Sequence, residues 1–114
     1  MQVHYLKIVT PEVDATCATY AQLYGVKFGT GDPDLGNART ATLANGGMIG
    51  VRAPMHETEE PVIRPYLLVE DIDVAAAAVV KSGGEIAHPP MEISGHGKFV
   101  IYIQGGNHHG LWQV

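Results

Sequence analysis

The feature that most constrains the fold of this chain is an internal repeat. A shift of about 59 residues aligns EVDA at 12–15 with DIDV at 71–74. The same shift aligns Gly25 with Gly84, and one further residue of offset aligns Gly50 with Gly110. A repeated unit of this size cannot bury its own sheet. The two copies are therefore predicted to pack as one domain over residues 1–114.

Each copy has the pattern of a strand, a helix and three further strands. Alternating apolar residues indicate the strands, and apolar residues three and four apart indicate the helices. The first copy predicts a strand at 2–9, a helix from Thr10-Pro11 to Gly25, and strands at 26–30, 38–44 and 48–53. The second predicts a strand at 63–69, a helix at 72–81, and strands at 85–88, 98–104 and 110–113. The segments 31–37 and 89–97 are predicted loops.

This organisation predicts an α+β fold built from two tandem βαβββ modules. The first module covers about residues 1–54, the second covers about residues 62–114, and the linker between them covers about residues 55–61.

The composition argues against several kinds of partner. The chain has 114 residues, a formal net charge of −5, and neither a basic tract nor a long apolar run. We therefore expect no nucleic-acid partner and no membrane partner. The single cysteine, Cys17, precludes an intrachain disulfide and favours a cytoplasmic location.

Three segments resemble a known family in their order and spacing. They are VTPEVDATCATYAQLYGVKF at 9–28, VEDIDVAAAAVVKSGGEI at 69–86 and GGNHHGLWQV at 105–114. Together they resemble the vicinal oxygen chelate superfamily, which includes glyoxalase I, bleomycin-resistance proteins and extradiol dioxygenases. The resemblance implies a curved mixed sheet around a concave cleft, with the helices on the outer face. It also implies a two-fold homodimer.

The same resemblance provides a test for a metal site. Metalloenzymes of that superfamily hold one divalent ion with four side chains, from the first and last strands of each half. Carried onto this sequence, the first-strand positions fall at Tyr5 and Arg64, and the last-strand positions fall at Gly50 and Gly110. Glycine has no side chain and arginine stays cationic, so none of the four is an ordinary ligand. We expect no metal and no other cofactor.

The adjacent histidines near the end of the chain do not change this prediction. His108 and His109 are consecutive on a predicted strand, so their side chains point to opposite faces and cannot reach one ion. A different strand register is the alternative: His4, His108 and the linker carboxylates would then be ligands of a metal-dependent lyase or dioxygenase.

Alternation along the strands divides their residues between a core face and a concave face. The core face, against the helices, is predicted to carry Leu6, Ile8, Ile49, Val51, Pro65, Leu67, Val69, Phe99, Ile101 and Ile103. The residues predicted to bind a ligand on the concave face are Tyr5, Lys7, Met48, Arg52, Arg64, Tyr66, Tyr102, His108 and Trp112. Gly50 and Gly110 are expected to leave room there. Aromatic walls with a few cationic groups are typical of a small-molecule site.

Arg64 is the residue on which the functional hypothesis depends. At a metal-ligand position, its guanidinium replaces the positive charge of the ion and pairs with a carboxylate, phosphate or enolate-like ligand. The alternative for Arg52 and Arg64 is that both extend to water at strand ends. The sequence thus favours a metal-free small-molecule-binding protein of the bleomycin-resistance-like type, for an anionic or aromatic ligand.

Two other functions stay open. His108 is the only side chain on the concave face that titrates near neutrality, so it is the candidate acid or base for a metal-free lyase or isomerase. An interaction module without a ligand is the other, and a cleft filled by Trp112 and Met48 would favour it.

Overall fold

The computed structural model describes all 114 residues. Its elements, in chain order, are β1 (Val3–Val9), α1 (Val13–Tyr24), β2 (Gly31–Asp32), a 3-10 helix (Pro33–Leu35), β3 (Ala38–Thr42), β4 (Met48–Arg52), β5 (Val62–Leu68), α2 (Ile72–Lys81), β6 (Glu85–Ile93), β7 (Gly97–Gln104) and β8 (Asn107–Gln113). The predicted α+β class and the repeated strand–helix–three-strand order are confirmed.

The chain divides into two compact units. Residues Tyr5–Ile63 form the first unit, and residues Met1–His4 with Arg64–Val114 form the second unit. The boundary falls within β1 and near the start of β5. The whole segment 55–61 belongs to the first unit.

The first unit is a four-stranded mixed sheet in the order β2-β3-β4-β1. β1 runs parallel to β4, and β3 and β4 form an antiparallel hairpin. Its core is formed by Ile8, Cys17, Ala41, Ile49 and Val51. The predicted core positions of Ile8, Ile49 and Val51 are confirmed, because these residues pack against Cys17 of α1.

Three predictions for the first unit are wrong. The helix α1 begins at Val13, after the predicted Thr10-Pro11 start, and Thr10 Oγ1 instead accepts a hydrogen bond from the Glu12 N–H (3.1 Å). The segment 26–30 is not a strand. Val26 and Phe28 pack on the core, which accounts for their alternation. The short strand β2 lies further along, at Gly31–Asp32, in the segment predicted as a loop.

The second unit is a four-stranded mixed sheet in the order β5-β8-β7-β6. β5 runs parallel to β8, and β7 and β8 form an antiparallel hairpin. The predicted helix at 72–81 is confirmed. β6 extends to Ile93 through the predicted loop, with irregular pairing between His88 and Met91, where the prolines 89 and 90 have no N–H to donate.

The faces of β7 are the reverse of those predicted. Val100 and Tyr102 pack on the α2 side with Ile72, whereas Phe99 lies against Trp112 on the other face. Phe99, Ile101 and Ile103 therefore do not face α2, and the predicted position of Tyr102 on the ligand face is wrong. Every residue from 99 to 103 is apolar or aromatic. Hydrophobicity alone cannot assign faces in such a run, and the pairing of Val100 with Leu111 assigns them instead.

Neither α-helix has the length and apolar character needed to cross a bilayer.

Candidate functional site

A buried arginine in the second unit is the centre of the candidate site. Tyr66 lies beside Gly110 in the parallel pair of β5 and β8. Arg64 and His108 each precede these residues by two positions, so strand alternation brings them to the same face, opposite α2. We call Arg64, Tyr66 and His108 the Arg64 site. Arg64 is 9% exposed, whereas His108 is exposed.

The guanidinium of Arg64 has only long polar contacts. Its Nη1 donates to the Tyr66 hydroxyl at 3.3 Å, and its Nη2 lies 3.4 Å from His108 Nδ1. Both distances exceed the usual range of about 2.7–3.2 Å for such hydrogen bonds. The Nε atom is buried without a partner. Neither of the ion pairs Arg39–Asp14 and Arg52–Glu59 includes Arg64, which has no carboxylate partner.

An aromatic cluster supports Tyr66 from within the second unit. The Tyr66 ring makes edge contacts with Trp112 (5.6 Å between centroids) and Phe99 (6.1 Å). Trp112 donates from Nε1 to the His96 carbonyl at 2.9 Å, and His88 stacks on Phe99 at 5.0 Å. Tyr66 and Trp112 are each 1% exposed. The Trp112 and Phe99 rings therefore hold the Tyr66 ring in a packed, buried cluster. Tyr66 and Trp112 do not form the exposed walls of an open cleft.

His4 also belongs to this cluster, because its ring lies 5.7 Å from that of Trp112. Burial lowers the pKa of His4 below its ordinary value. The sequence does not predict that His4, His88, His96 and Phe99 belong to this cluster. Phe99 was assigned to the wrong face, and the histidines come from β1, β6 and the β6–β7 turn, whose register the sequence does not give.

Arg52, in the first unit, has a different environment from Arg64. It is 4% exposed, and its Nη1 and Nη2 donate to the two oxygens of Glu59 at 2.8 and 2.7 Å. The Glu59 carboxylate also accepts from the Met55 N–H at 2.7 Å. Mainly because of the Arg52 hydrogen bonds, and despite burial, the pKa of Glu59 is lowered to about 2. Arg52 was expected to bind a ligand or to extend to water; instead a linker carboxylate neutralises it.

The four positions at which the resemblance places metal ligands do not fit a divalent ion. In the first unit, a Cβ added at Gly50 would overlap the Tyr5 ring, and in the second unit a Cβ added at Gly110 would overlap the Tyr66 ring. Neither position can hold a glutamate while the tyrosine stays in place. The remaining groups, a phenol and a guanidinium, are poor metal ligands. The expectation that the two glycines leave room is wrong, because the tyrosine rings fill that space.

The other predicted site residues are distributed between the two units. Lys7 and Met48 are half-buried in the first unit, opposite Gly50 and Tyr5 respectively in the pairing of β1 with β4. In the second unit, His109 stacks on Tyr102 at 4.8 Å, on the α2 face. The prediction that His108 and His109 point to opposite faces is confirmed by their pairing with Ile103 and Tyr102.

Comparison with known proteins identifies similar chains. No protein-family model matches the sequence. The chain is 27% identical over 117 aligned positions to CFP32 of Mycobacterium bovis, which is provisionally named a glyoxylase, and the same match is found in Mycobacterium tuberculosis. The alignment covers 97% of this chain but 45% of CFP32, so the chain spans about half the length of the curated relatives it matches.

Solved structures of the same fold include two epimerases. Methylmalonyl-CoA epimerase from Mycobacterium tuberculosis superposes with a TM-score of 0.73 at 15% identity, over 96% of this chain and 85% of that one. A variant of methylmalonyl-CoA epimerase from Streptomyces coelicolor, in complex with 2-nitronate-propionyl-CoA, gives 0.69 at 19% identity, over 99% and 96%. At these identities the similarity establishes the fold.

Proposed function

We propose that this chain, which has the vicinal oxygen chelate fold, binds a small organic anion through the guanidinium of Arg64. The observation that carries the proposal is a cation, 9% exposed, that has no carboxylate partner and one buried N–H without an acceptor. A small-molecule carboxylate supplies both the missing negative charge and the missing acceptor.

The energetics favour an anion over an empty site. Removing a guanidinium from water costs several kcal/mol unless a counter-charge or strong hydrogen bonds offset it. At Arg52 the carboxylate of Glu59 provides that offset. At Arg64 the contacts are a phenol and an imidazole at more than 3.2 Å. The desolvation cost of Arg64 is therefore not offset within the protein, and a bound anion would offset it.

The ligands of solved structures with the same fold support a choice of anion. Structures of methylmalonyl-CoA epimerase have been determined with methylmalonyl-CoA and with a nitronate analogue of a propionyl thioester. Both carry an acidic or enolate-like group on a short acyl chain. We propose a ligand of this class for the present chain: a short acyl or keto compound with a carboxylate or an enolate-like oxygen.

Binding is tested by thermal shift and calorimetry with acetate, propionate, phosphate, sulfate and methylmalonyl-CoA. We expect a carboxylate of this panel to raise the melting temperature, and Arg64→Gln to weaken its binding about tenfold or more, because a hydrogen bond to a charged group is lost. Arg39→Gln is the matched control, since Arg39 pairs with the exposed Asp14 in the first unit. Equal binding by Arg64→Gln and the native protein would refute the proposal.

A second function, proton transfer, is favoured by one observation. His108 is exposed and lies 3.4 Å from the guanidinium of Arg64. An imidazole in that place can take a proton from the α-carbon of an acyl substrate while Arg64 stabilises the enolate oxygen, and can return a proton to the same carbon. The test is exchange of the α-proton of methylmalonyl-CoA in D2O, followed by NMR. Exchange that disappears in His108→Gln supports an enzyme; absence of exchange leaves a binding protein.

We further propose that ligand binding needs no metal, since the ligand positions are Tyr5, Arg64 and two glycines. Treatment with a chelator should leave the melting temperature and anion affinity unchanged, and elemental analysis of the purified protein should find no stoichiometric transition metal. A metal that is retained, and whose removal destabilises the protein, would contradict this.

The homodimer and the cytoplasmic location stay predictions. The mass in solution, from light scattering, tests the first, and fractionation of cells that contain the full-length protein tests the second.

A further inference from the structure

The contact between Arg64 and His108 constrains the charge of the histidine. Arg64 Nη2 carries only N–H donors, so it can donate to His108 Nδ1 at 3.4 Å only while that nitrogen keeps its lone pair. A proton on Nδ1 would place two donors, and two positive charges, against each other. Without a ligand, Arg64 therefore offers no acceptor for a proton on His108 Nδ1.

An anion at Arg64 supplies this missing acceptor. An oxygen placed between the two side chains accepts from Arg64 and also from a protonated Nδ1, so that two cations share one negative group. The same proton that is unfavourable in the free site becomes favourable in the occupied one. Ligand binding and protonation of His108 are then linked.

We propose that the Arg64 site takes up a carboxylate together with one proton, which resides on His108. This inference rests on the proposed anion-binding function and adds to it the form of the ligand complex: a singly ionised carboxylate held between a guanidinium and an imidazolium.

Among the groups around His108, Arg64 is the one whose charge affects protonation of the histidine. Arg64, from β5, is the charged group that faces it. On β7 the residue opposite is the apolar Ile103, and on β8 the next residue on the same face is Gly110. His109 points to the α2 face, where it stacks on Tyr102. No acidic side chain forms an ion pair with His108, so none holds a proton there before the ligand arrives.

The geometry of Arg64 favours a planar carboxylate. Its Nη1 is directed to Tyr66, and its Nε, buried without a partner, lies on the same edge of the guanidinium as Nη2. The parallel N–H groups of Nε and Nη2 match the two oxygens of a carboxylate. One of these oxygens then lies beside His108.

The experiment measures propionate affinity by calorimetry from about pH 5.5 to about pH 8.5, a range across which an ordinary histidine titrates. Propionate stays ionised over most of this range, so the protein is the source of the pH dependence. For the native chain we expect the affinity to rise as the pH falls. Above the histidine titration it should change by up to about tenfold per pH unit, the slope for one linked proton. NMR of the His108 ring should show protonation on addition of propionate near pH 7.5.

Two variants test whether the linked proton binds to His108. His108→Gln should bind propionate with a flat pH profile, whereas His109→Gln, the neighbour on the opposite face, should keep the native slope. Circular dichroism confirms that each is folded. A flat profile in the native protein, or an unchanged slope in His108→Gln, overturns the inference while the anion-binding function stands. No carboxylate binding at any pH overturns both.

Discussion

The two buried arginines of this chain, Arg52 and Arg64, differ in the groups that contact their guanidinium groups. Arg52 donates to both oxygens of Glu59, seven residues further along, whereas Arg64 has a phenol and an imidazole beside it. Their positions on the strands could be predicted from alternation. Their different roles could not, because the acidic residues of the linker give no sign of which one turns back to β4.

Replacing Glu59 with Gln leaves Arg52 buried without its counter-charge. We expect the free energy of unfolding near neutral pH to fall by about 3 kcal/mol, measured by urea denaturation, because breaking a buried pair strands the remaining charge. Asp14→Asn is the matched control. It breaks the pair with Arg39, in which the Asp14 side chain is 92% exposed, and should cost less than about 1 kcal/mol. Equal losses in the two variants would contradict this account.

The same ion pair makes stability depend on pH in the acid range. The pKa of Glu59 is lowered from 4.5 to about 2 in the folded protein, so the unfolded chain binds this proton more readily. The contribution of Glu59 is therefore fully present above about pH 4.5 and is lost as the pH falls towards 2. The stability difference between the native chain and Glu59→Gln should shrink over that interval in urea titrations. A difference that stays constant down to pH 2 would exclude the linkage.

Gly110 is predicted to tolerate no side chain. In Gly110→Ala the new methyl group overlaps the Tyr66 ring, whose position the Trp112 and Phe99 rings fix. We expect a loss of about 1–3 kcal/mol in unfolding free energy from overpacking. Gly29→Ala is the control, because the nearest atom to an added Cβ there is 4.0 Å away. It should change stability by less than about 0.5 kcal/mol.

The two helices show why one of them was predicted correctly at its start and the other was not. The side chain of Asp71 accepts from the N–H groups of Asp73 and Val74, so α2 begins where the sequence indicates. Glu12, in the equivalent place before α1, makes no such bond. The Thr10-Pro11 signal predicted an earlier start, but the Thr10 hydroxyl bonds outside the helix.

Asp71→Ala should therefore lower the unfolding free energy by about 1 kcal/mol, the usual contribution of a helix N-cap. Glu12→Ala should change it by less than about 0.5 kcal/mol, since no cap is lost. Urea denaturation of both variants, followed by far-UV circular dichroism, makes the comparison. A larger loss in Glu12→Ala would mean that α1 has a cap which this geometry does not explain.

The strands could be predicted in number and order but not always in face. β1 and β5 have polar residues between their apolar ones, and alternation placed Arg64 and Tyr66 on the face opposite α2. β7 is apolar throughout its centre, so its assignment failed and Tyr102 with it. Alternation along β5 thus predicted that Arg64 and Tyr66 share a face, while the ring contacts of Phe99 required the register of β7 with β8.

For the molecule as a whole, the repeat predicted the fold class, and the compact units divide within β1 and β5. Residues 1–4 belong with 64–114. In that unit the Leu68 N–H donates to the Gln2 carbonyl at 2.9 Å, and the His4 ring lies beside Trp112. These contacts join residues far apart in sequence, which a comparison of the two repeats cannot detect.

His4→Ala is therefore expected to act on the second unit. We expect a loss of about 1 kcal/mol, because the ring contact with Trp112 disappears. A red shift of tryptophan fluorescence should accompany it, since the chain has one tryptophan. His56→Ala, at an exposed histidine of the linker, should leave both stability and emission unchanged. An unaltered emission spectrum in His4→Ala would show that residues 1–4 do not order the aromatic cluster.

The Tyr66 ring over Gly110 also determines the order in which this sequence can change during evolution. A glutamate cannot enter position 110 first, because the intermediate protein would carry the overlap with the ring and be selected against. The tyrosine must be replaced by a smaller residue before an acidic side chain arrives. The same order holds in the first unit, where the Tyr5 ring covers Gly50. A descendant of this protein could acquire a carboxylate at either position only by a two-step mutational path. The tyrosines therefore make the return of an acidic residue at these positions less accessible to single mutations.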